Sequence, residues 1–256
     1  MMRTSANPIY FVGAGPGDPE LITVRGQRLL AAADLVVYAG SLVPRALVEG
    51  LRAELHDSAS LHLAEIIDLM AGAWRQGKTV VRLHTGDPSI YGAIKEQMAA
   101  LDAQRIPCQV VPGVSSATAT AAALHAELTL PEVSQTVIIT RRAGRTPVPE
   151  GQDLTSLASH QATMLILLSV GMIEEVVAEL RDGGYPAETP VAVVEKVSWP
   201  EERIIRATLA TIAREVQAAG INKTAIIAVG RVFAELPPEA FSKLYDKGFS
   251  HGCRQV

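Results

Sequence analysis

Short apolar runs alternate with segments of helical period through the first half of the chain. Ile9–Val12, Leu35–Tyr38, Val80–His84 and Gln109–Val111 are dominated by Val, Ile and Leu in near-continuous runs, the pattern of strands buried on both faces. Helical patterns follow them. Thr23 caps one helix through Leu29, Leu30 and Ala33, and Leu61, Ile66, Leu69, Met70 and Ala73 share a face of Leu61–Trp74. Asp87-Pro88 supplies an N-cap and a first-turn proline for a helix ending near Leu101, and Ala117–Ala126 reads as an alanine-rich helix. A repeated strand–helix unit predicts a parallel sheet.

From Gln135 onward the strands come closer together, at Thr136–Thr140, Met164–Leu168, Val191–Glu195, Arg203–Thr208 and Thr224–Val229. Helices are expected near Ile173–Asp182 and Leu209–Ala219. The third and fourth of these strands are separated by a turn containing Trp199-Pro200-Glu201-Glu202, which predicts an antiparallel hairpin. The change of rhythm near Leu128–Pro131 places a boundary there. We expect two α/β domains with a cleft between them: residues 1–128 around a mainly parallel sheet with a Gly-rich loop, and residues 129–256 around a mixed sheet.

Composition narrows the class. With 48% apolar and 20% charged positions among 256 residues, the chain can bury enough surface to oppose its conformational entropy, so disorder is excluded as the main state. Cys108 and Cys253 form neither a C-x-x-C pair nor a metal spacing, which fits a reducing cytosol. His56, His62, His84, His125, His160 and His251 form no H-x-H or H-E-x-x-H pattern, so no metal site is expected. A formal charge of −4 provides no basic field for duplex nucleic acid. Ile9–Val12 is too brief for a signal-peptide core, and Met164–Met172 is strand-sized against the roughly 20 residues a bilayer requires. The expectation is a soluble, cytoplasmic protein with neither nucleic acid nor membrane as partner.

Three loops carry the candidate chemistry, each at the carboxyl end of an expected parallel strand. Gly13-Ala14-Gly15-Pro16-Gly17-Asp18-Pro19 is built for close backbone approach, yet a dinucleotide fingerprint needs glycine where Asp18 stands. No Gly-Lys-Ser/Thr follows, so it is no P-loop. His84-Thr85-Gly86-Asp87-Pro88-Ser89-Ile90-Tyr91-Gly92 offers Gly86 for close approach and Asp87 as an N-cap or as an acceptor for a ligand hydroxyl or amine. Pro112-Gly113-Val114-Ser115-Ser116 is a strand-to-helix turn that forms no G-x-S-x-G elbow, since Ala117 and Thr118 follow. The three loops are expected to converge on one crevice. A basic loop follows the first strand of the second half: Arg141, Arg142 and Arg145 suit bidentate capture of carboxylates or phosphates, with Lys196 and Arg206 as further candidates.

In this order and at these positions, the loops resemble the class III S-adenosylmethionine-dependent methyltransferases that act on tetrapyrrole rings. The resemblance runs from Ile9 to Val232. It rests on Val12-Gly13-Ala14-Gly15-Pro16-Gly17-Asp18-Pro19-Glu20-Leu21, Gly86-Asp87-Pro88, Val111-Pro112-Gly113-Val114 and Ala228-Val229-Gly230-Arg231. Narrower features are Tyr38-Ala39-Gly40-Ser41-Leu42-Val43, His84 through Ile94, Glu127-Leu128-Thr129-Leu130-Pro131 and Gly144 through Glu150. They resemble the branch that methylates precorrins in cobalamin biosynthesis.

The resemblance implies a methyl donor, S-adenosyl-L-methionine, leaving as S-adenosyl-L-homocysteine. Carried over by motif, Pro16, Gly86, Asp87, Ile90, Tyr91, Ser115 and Ser116 would contact it, together with Val170, Val197, Thr224 and Ala225. Arg141, Arg142 and Arg145 would bind the carboxylates of a tetrapyrrole, and the assembly would be a homodimer. Related uroporphyrinogen methyltransferases carry an acidic residue after the tyrosine of the second strand. This chain has Ala39 there, so no catalytic base is assigned. Within the same fold the alternative is methylation of another precorrin or of uroporphyrinogen; alternatives of other kinds are a nicotinamide-dependent oxidoreductase using the Gly13–Gly17 loop and a tetrapyrrole carrier without catalysis.

Overall fold

The structure is a computed structural model that describes residues 7–40, 42–234, 248 and 250. Ser41, His251 and Cys253 lie outside the described residues. Two compact units are present. The first comprises the described residues up to Ala119 together with Ser198–Pro200, and the second Thr120–Val197 with the described residues from Glu201 onward.

The first unit holds a five-stranded sheet of β1 (Ile9–Gly13), β2 (Leu35–Tyr38), β3 (Glu54–Asp57), β4 (Val80–His84) and β5 (Cys108–Val111). Their order is β3-β2-β4-β1-β5 and every pairing is parallel. Alternate residues face opposite sides of the sheet, and each side is covered. Val12, Val36, Val81 and Leu83 pack with Leu30 of α1 (Val24–Ala31) and Leu47 of α2 (Arg45–Val48). Ile9, Phe11, Leu35, Val37 and Val80 pack with Ile66 and Met70 of α3 (Leu63–Arg75) and Leu101 of α4 (Ile94–Asp102). Strand β3 escaped the sequence pattern because it is a polar edge, with Leu55 its one apolar residue and three of four positions exposed.

The expected helix from Asp87 is corrected. Helix α4 begins at Ile94, and residues 85–93 form a loop in which Gly86, Tyr91 and Ala93 have φ of 60°, 53° and 49°. Asp87 does not cap α4, because its carboxylate accepts from Ser89 and from Gly113 on a neighbouring loop. Helix α5 (Ser116–Ala123) then follows β5.

The second unit holds β6 (Val137–Arg141), β7 (Thr163–Leu167), β8 (Pro190–Glu195), β9 (Arg203–Thr208) and β10 (Ala225–Val229), in the order β6-β7-β10-β8-β9. Strands β6 and β7 are parallel and the other pairs antiparallel. The sheet is mixed, and β8–β9 is the expected hairpin. One face packs on α6 (Leu154–Ala158), α7 (Ile173–Asp182) and α8 (Ile212–Ala218) around Met164, Ile166, Val193 and Ile227. Helix α6, five residues long, gave no periodic signal.

Candidate functional site

Strands β1 and β4 are neighbours, yet α1 after β1 covers one face of the sheet and α4 after β4 covers the other. Loops leaving adjacent strands toward opposite faces open a crevice at the carboxyl edge, the position where open α/β sheets bind ligands. The loops themselves are in backbone contact. Gly15 and Gly86 exchange amide hydrogen bonds, at 2.7 and 3.3 Å, and the Ala14 amide donates to the His84 carbonyl at 2.7 Å. A Cβ built on Gly13 would lie 2.6 Å from both the Gly86 oxygen and the Gly113 Cα, so no side chain fits where the three loops meet. A Cβ on Gly86 would lie 3.7 Å from the Ser116 amide nitrogen, which puts the start of α5 beside the same turn.

Asp87 ties two of the loops together. Its Oδ1 accepts from the Ser89 amide at 2.8 Å and from the Ser89 hydroxyl, and its Oδ2 accepts from the Gly113 amide at 2.9 Å. Burial alone would raise this carboxyl, but the Ser89 and Gly113 hydrogen bonds outweigh it and hold the pKa below the ordinary aspartate value. Ser115 Oγ accepts from the Ala117 amide at 3.2 Å as α5 begins. Pro16, Gly86, Asp87, Ser115 and Ser116 are therefore gathered at one edge, and Ile90 and Tyr91 continue the Asp87 loop.

Residues Ser198–Pro200, distant in sequence, belong to this unit as a strap on the first loop. Trp199 Nε1 donates to the Pro16 carbonyl at 2.9 Å, and the Asp18 amide donates to Ser198 Oγ at 2.9 Å. Gly17 carries no side chain because a Cβ would fall 2.2 Å from the Trp199 ring. In the sequence, Trp199-Pro200 marks only a hairpin turn. The available signal was a tryptophan, one of two in the chain, at a turn position that gives it no strand partner.

Behind the loops, β4 carries two buried polar side chains. Arg82, 6% exposed, donates to Gln97 Oε1 at 3.1 Å and to the Val37 carbonyl at 3.2 Å, and Gln97 Nε2 donates onward to the Ala93 carbonyl at 2.9 Å. Burial lowers the Arg82 pKa to about 10. This chain of bonds fixes the point where the Asp87 loop enters α4. His84 stacks on Phe11 with ring centroids 5.8 Å apart. Neither role was visible in the strand pattern, because a satisfied core polar residue and a ligand contact leave the same mark in a sequence.

In the second unit, antiparallel β10 aligns the start of its own strand with the ends of β7 and β8: Ala225 pairs with Glu195, and the Lys196 amide donates to the Thr224 carbonyl at 2.8 Å. Val170, Val197, Thr224 and Ala225 thus share one sheet edge, at which β6 also ends with Arg141 beside Leu167. Leu168, Lys196 and Thr224 on this edge have φ of 57°, 46° and 53°. Left-handed non-glycine residues cost roughly 1–3 kcal/mol each and collect at functional sites. Leu168 is 70% exposed, an apolar side chain held outward that sequence reading did not single out.

The arginine loop divides its work. Arg141 donates to the Thr146 and Pro147 carbonyls at 2.9 and 2.8 Å and so holds the loop's shape. Arg142 pairs with Glu179 at 2.7 Å on α7. Arg145 is exposed and has no polar partner among the described residues. Lys196 faces Glu201 at 3.8 Å, and Arg206 donates to the Leu124 carbonyl at 2.9 Å. Among the described residues, no three His, Cys, Asp or Glu side chains are placed to hold a metal ion, and no helix is long and apolar enough to cross a membrane.

Residues 8–213 match the family model described as tetrapyrrole (corrin/porphyrin) methylases. A cobalt-precorrin-4 C(11)-methyltransferase of Methanocaldococcus jannaschii is 57% identical over 251 residues, covering 96% of each chain. A precorrin-4 C(11)-methyltransferase of Pseudomonas aeruginosa is 51% identical over 227 residues, covering 88% of this chain and 90% of the relative. The crystal structure of a cobalt precorrin-4 methyltransferase superposes with a TM-score of 0.86 at 46% identity, covering 88% of this chain and 95% of that one. A uroporphyrin-III C-methyltransferase from Thermus thermophilus, solved with S-adenosyl homocysteine, gives 0.75 at 31% identity, covering 90% and 96%.

Proposed function

Because the chain belongs to the tetrapyrrole (corrin/porphyrin) methylases, we propose that it transfers a methyl group from S-adenosyl-L-methionine to C-11 of precorrin-4, with or without a chelated cobalt, in cobalamin biosynthesis. The observation that carries this reading is the near-complete match to enzymes named for that position, at 57% and 51% identity. The nicotinamide alternative has no such support, and Asp18 stands against it.

The bound donor supplies a sulfonium methyl that is already electrophilic, so the protein's task is alignment more than acid–base chemistry. Near-attack positioning supplies up to roughly 7–11 kcal/mol. The three-glycine contact of the first unit suits that task, since loops that share backbone hydrogen bonds hold their amides and carbonyls in fixed directions. We assign the donor to Pro16, Gly86, Asp87, Ile90, Tyr91, Ser115 and Ser116, and the resemblance adds Val170, Val197, Thr224 and Ala225. Replacing Asp87 with Ala should free Ser89 and Gly113 together and raise the donor dissociation constant by about tenfold or more, a loss of ~1.4 kcal/mol. Calorimetric titration with S-adenosylhomocysteine measures this, and unchanged affinity would remove the donor from this edge.

The acceptor's carboxylates are assigned to the arginine loop, with Arg145 making the contact and Arg141 and Arg142 holding the loop. The reading carries with it a cytoplasmic homodimer, taken from the family resemblance. The direct test is a mass-resolved transfer assay with precorrin-4 and its cobalt form, followed by location of the new methyl, beside titrations with S-adenosylhomocysteine and NAD. Transfer to C-11 is expected. NAD binding without S-adenosylhomocysteine binding would overturn the reading. In the same assay Arg145→Ala should raise the KM for the tetrapyrrole several-fold and leave donor affinity within twofold, and a collapse of donor affinity instead would refute its assignment to the acceptor.

A further inference from the structure

Asp57 closes β3 at the carboxyl edge of the parallel sheet, in register with Tyr38 at the end of β2. Its Oδ1 accepts two backbone amides, from Gly40 and from Ala59, both at 2.9 Å. Its Oδ2 has no hydrogen-bond partner among the described residues, and the residue is exposed. A Cβ on Gly40 would fall 2.1 Å from Oδ2, so glycine at this position leaves room for the carboxylate in its present rotamer beside the loop after β2. Ser58 adds a second tie, its amide and hydroxyl donating to the Tyr38 carbonyl at 2.7 and 3.0 Å. The Gly40 and Ala59 amides hold the carboxyl below the ordinary aspartate pKa, so it is ionised at neutral pH. Of the other carboxylates along this edge, Asp87 has both oxygens engaged, and Asp18 lies beyond the end of β1, where it caps the short turn at Pro19–Leu21. Asp57 is thus a fixed negative charge with one open oxygen, two strand spacings or roughly 10 Å from the β4 loop.

A docking site for the substrate's acetate and propionate groups would not present a carboxylate. One remaining chemistry for it is the ring nitrogens. We propose that Asp57 Oδ2 accepts a pyrrole N–H of the tetrapyrrole and neutralises the charge that reaches that nitrogen during methyl transfer, an inference that rests on the functional reading above. In that step a ring carbon forms a bond to the methyl, the sulfur–methyl bond breaks with its electron pair staying on sulfur, and the positive charge moves from sulfur to the conjugated ring nitrogen. The nitrogen's proton then passes to the carboxylate. A fixed anion at that point is more useful in the transition state than in the ground state, which is the condition for raising kcat.

The test is Asp57→Asn, whose amide oxygen can still accept the Gly40 and Ala59 amides, with Asp57→Glu as the variant that keeps the charge. Three quantities are read for each protein: binding of precorrin-4 by absorbance with S-adenosylhomocysteine present, KM, and kcat. For Asp57→Asn the expected result is a kcat lowered about 10²-fold, precorrin-4 binding equal to or tighter than wild type because a repelling charge is gone, and unchanged thermal stability. Asp57→Glu should recover part of kcat. Wild-type transfer with an unaltered kcat in Asp57→Asn overturns the proposal alone, as does a loss confined to stability or KM, which marks a merely structural loop tie. Absence of transfer by the wild type overturns the functional reading and the proposal together.

Discussion

A Gly113→Ala protein should bind S-adenosylhomocysteine at least 100-fold more weakly than wild type. The added methyl would lie 2.2 Å from the Gly86 oxygen, 2.8 Å from the Gly13 Cα and 3.0 Å from the Gly13 carbonyl carbon. All three neighbours are backbone, so no rotamer change can relieve the overlap, and the loops after β1, β4 and β5 must separate. Overpacking of this kind costs about 1–3 kcal/mol of stability. The larger effect falls on binding, because the displaced groups are those assigned to the donor. The Asp87–Gly113 and Gly15–Gly86 hydrogen bonds would be strained together. Gly72→Ala in α3 is the matched control: its Cβ meets nothing within 4 Å, so the protein should gain ~0.5–1 kcal/mol from helix propensity and bind normally. Calorimetric titration and thermal melts of the two variants give the comparison. Wild-type affinity in Gly113→Ala would refute the cradle.

The same contact shows what the sequence can and cannot tell. Glycines at 13, 86 and 113 each follow an apolar run, and three strand-end glycines in a strand–helix repeat are enough to predict that these loops meet at the carboxyl edge of the sheet. The order of the strands was not readable. Nothing in the spacing says that β4 inserts between β2 and β1, and that insertion makes β1 and β4 the switch point. Asp87-Pro88 misled for a physical reason. The pair is a good helix start locally, but the amide of Gly113, 26 residues away, takes the carboxylate, and the chain runs through two left-handed residues before α4 begins. Tertiary partners overrode a local preference there. Trp199 does lie in the turn between β8 and β9, as its spacing predicts, but its second role is tertiary: its ring nitrogen serves the Pro16 carbonyl 183 residues earlier. The arginine cluster was legible as composition only. That Arg141 and Arg142 bond within their own unit, leaving Arg145 outward, depends on where Thr146, Pro147 and Glu179 fall in space.

Between pH 7 and pH 5 one buried histidine should make a defined contribution to the protein's acid sensitivity, and replacing it should remove that contribution. His84 is 7% exposed, stacked on Phe11, with Nε2 buried and without a hydrogen-bond partner among the described residues. Burial, with the Arg82 charge adding to it, pushes its pKa down to about 3, against an ordinary value near 6.5. The folded protein therefore refuses a proton that the unfolded chain accepts. Above pH 6.5 both states are neutral and the contribution to stability is complete. Between pH 6.5 and about 3 the unfolded state binds the extra proton, and stability falls by up to ~1.4 kcal/mol per pH unit. From pH 7 to pH 5 the loss attributable to His84 is about 2 kcal/mol. Urea unfolding of wild type and of His84→Leu or His84→Phe across that range isolates it, because every other titrating group is common to the proteins. The wild-type curve should be steeper by that amount, and parallel curves would show that His84 protonates freely in the fold. Because the His84 carbonyl receives the Ala14 amide and Thr85-Gly86 follow directly, the first local opening under acid should be at the loop junction. Donor affinity at pH 5 should accordingly fall in wild type by more than in a variant that retains its neutral-pH affinity.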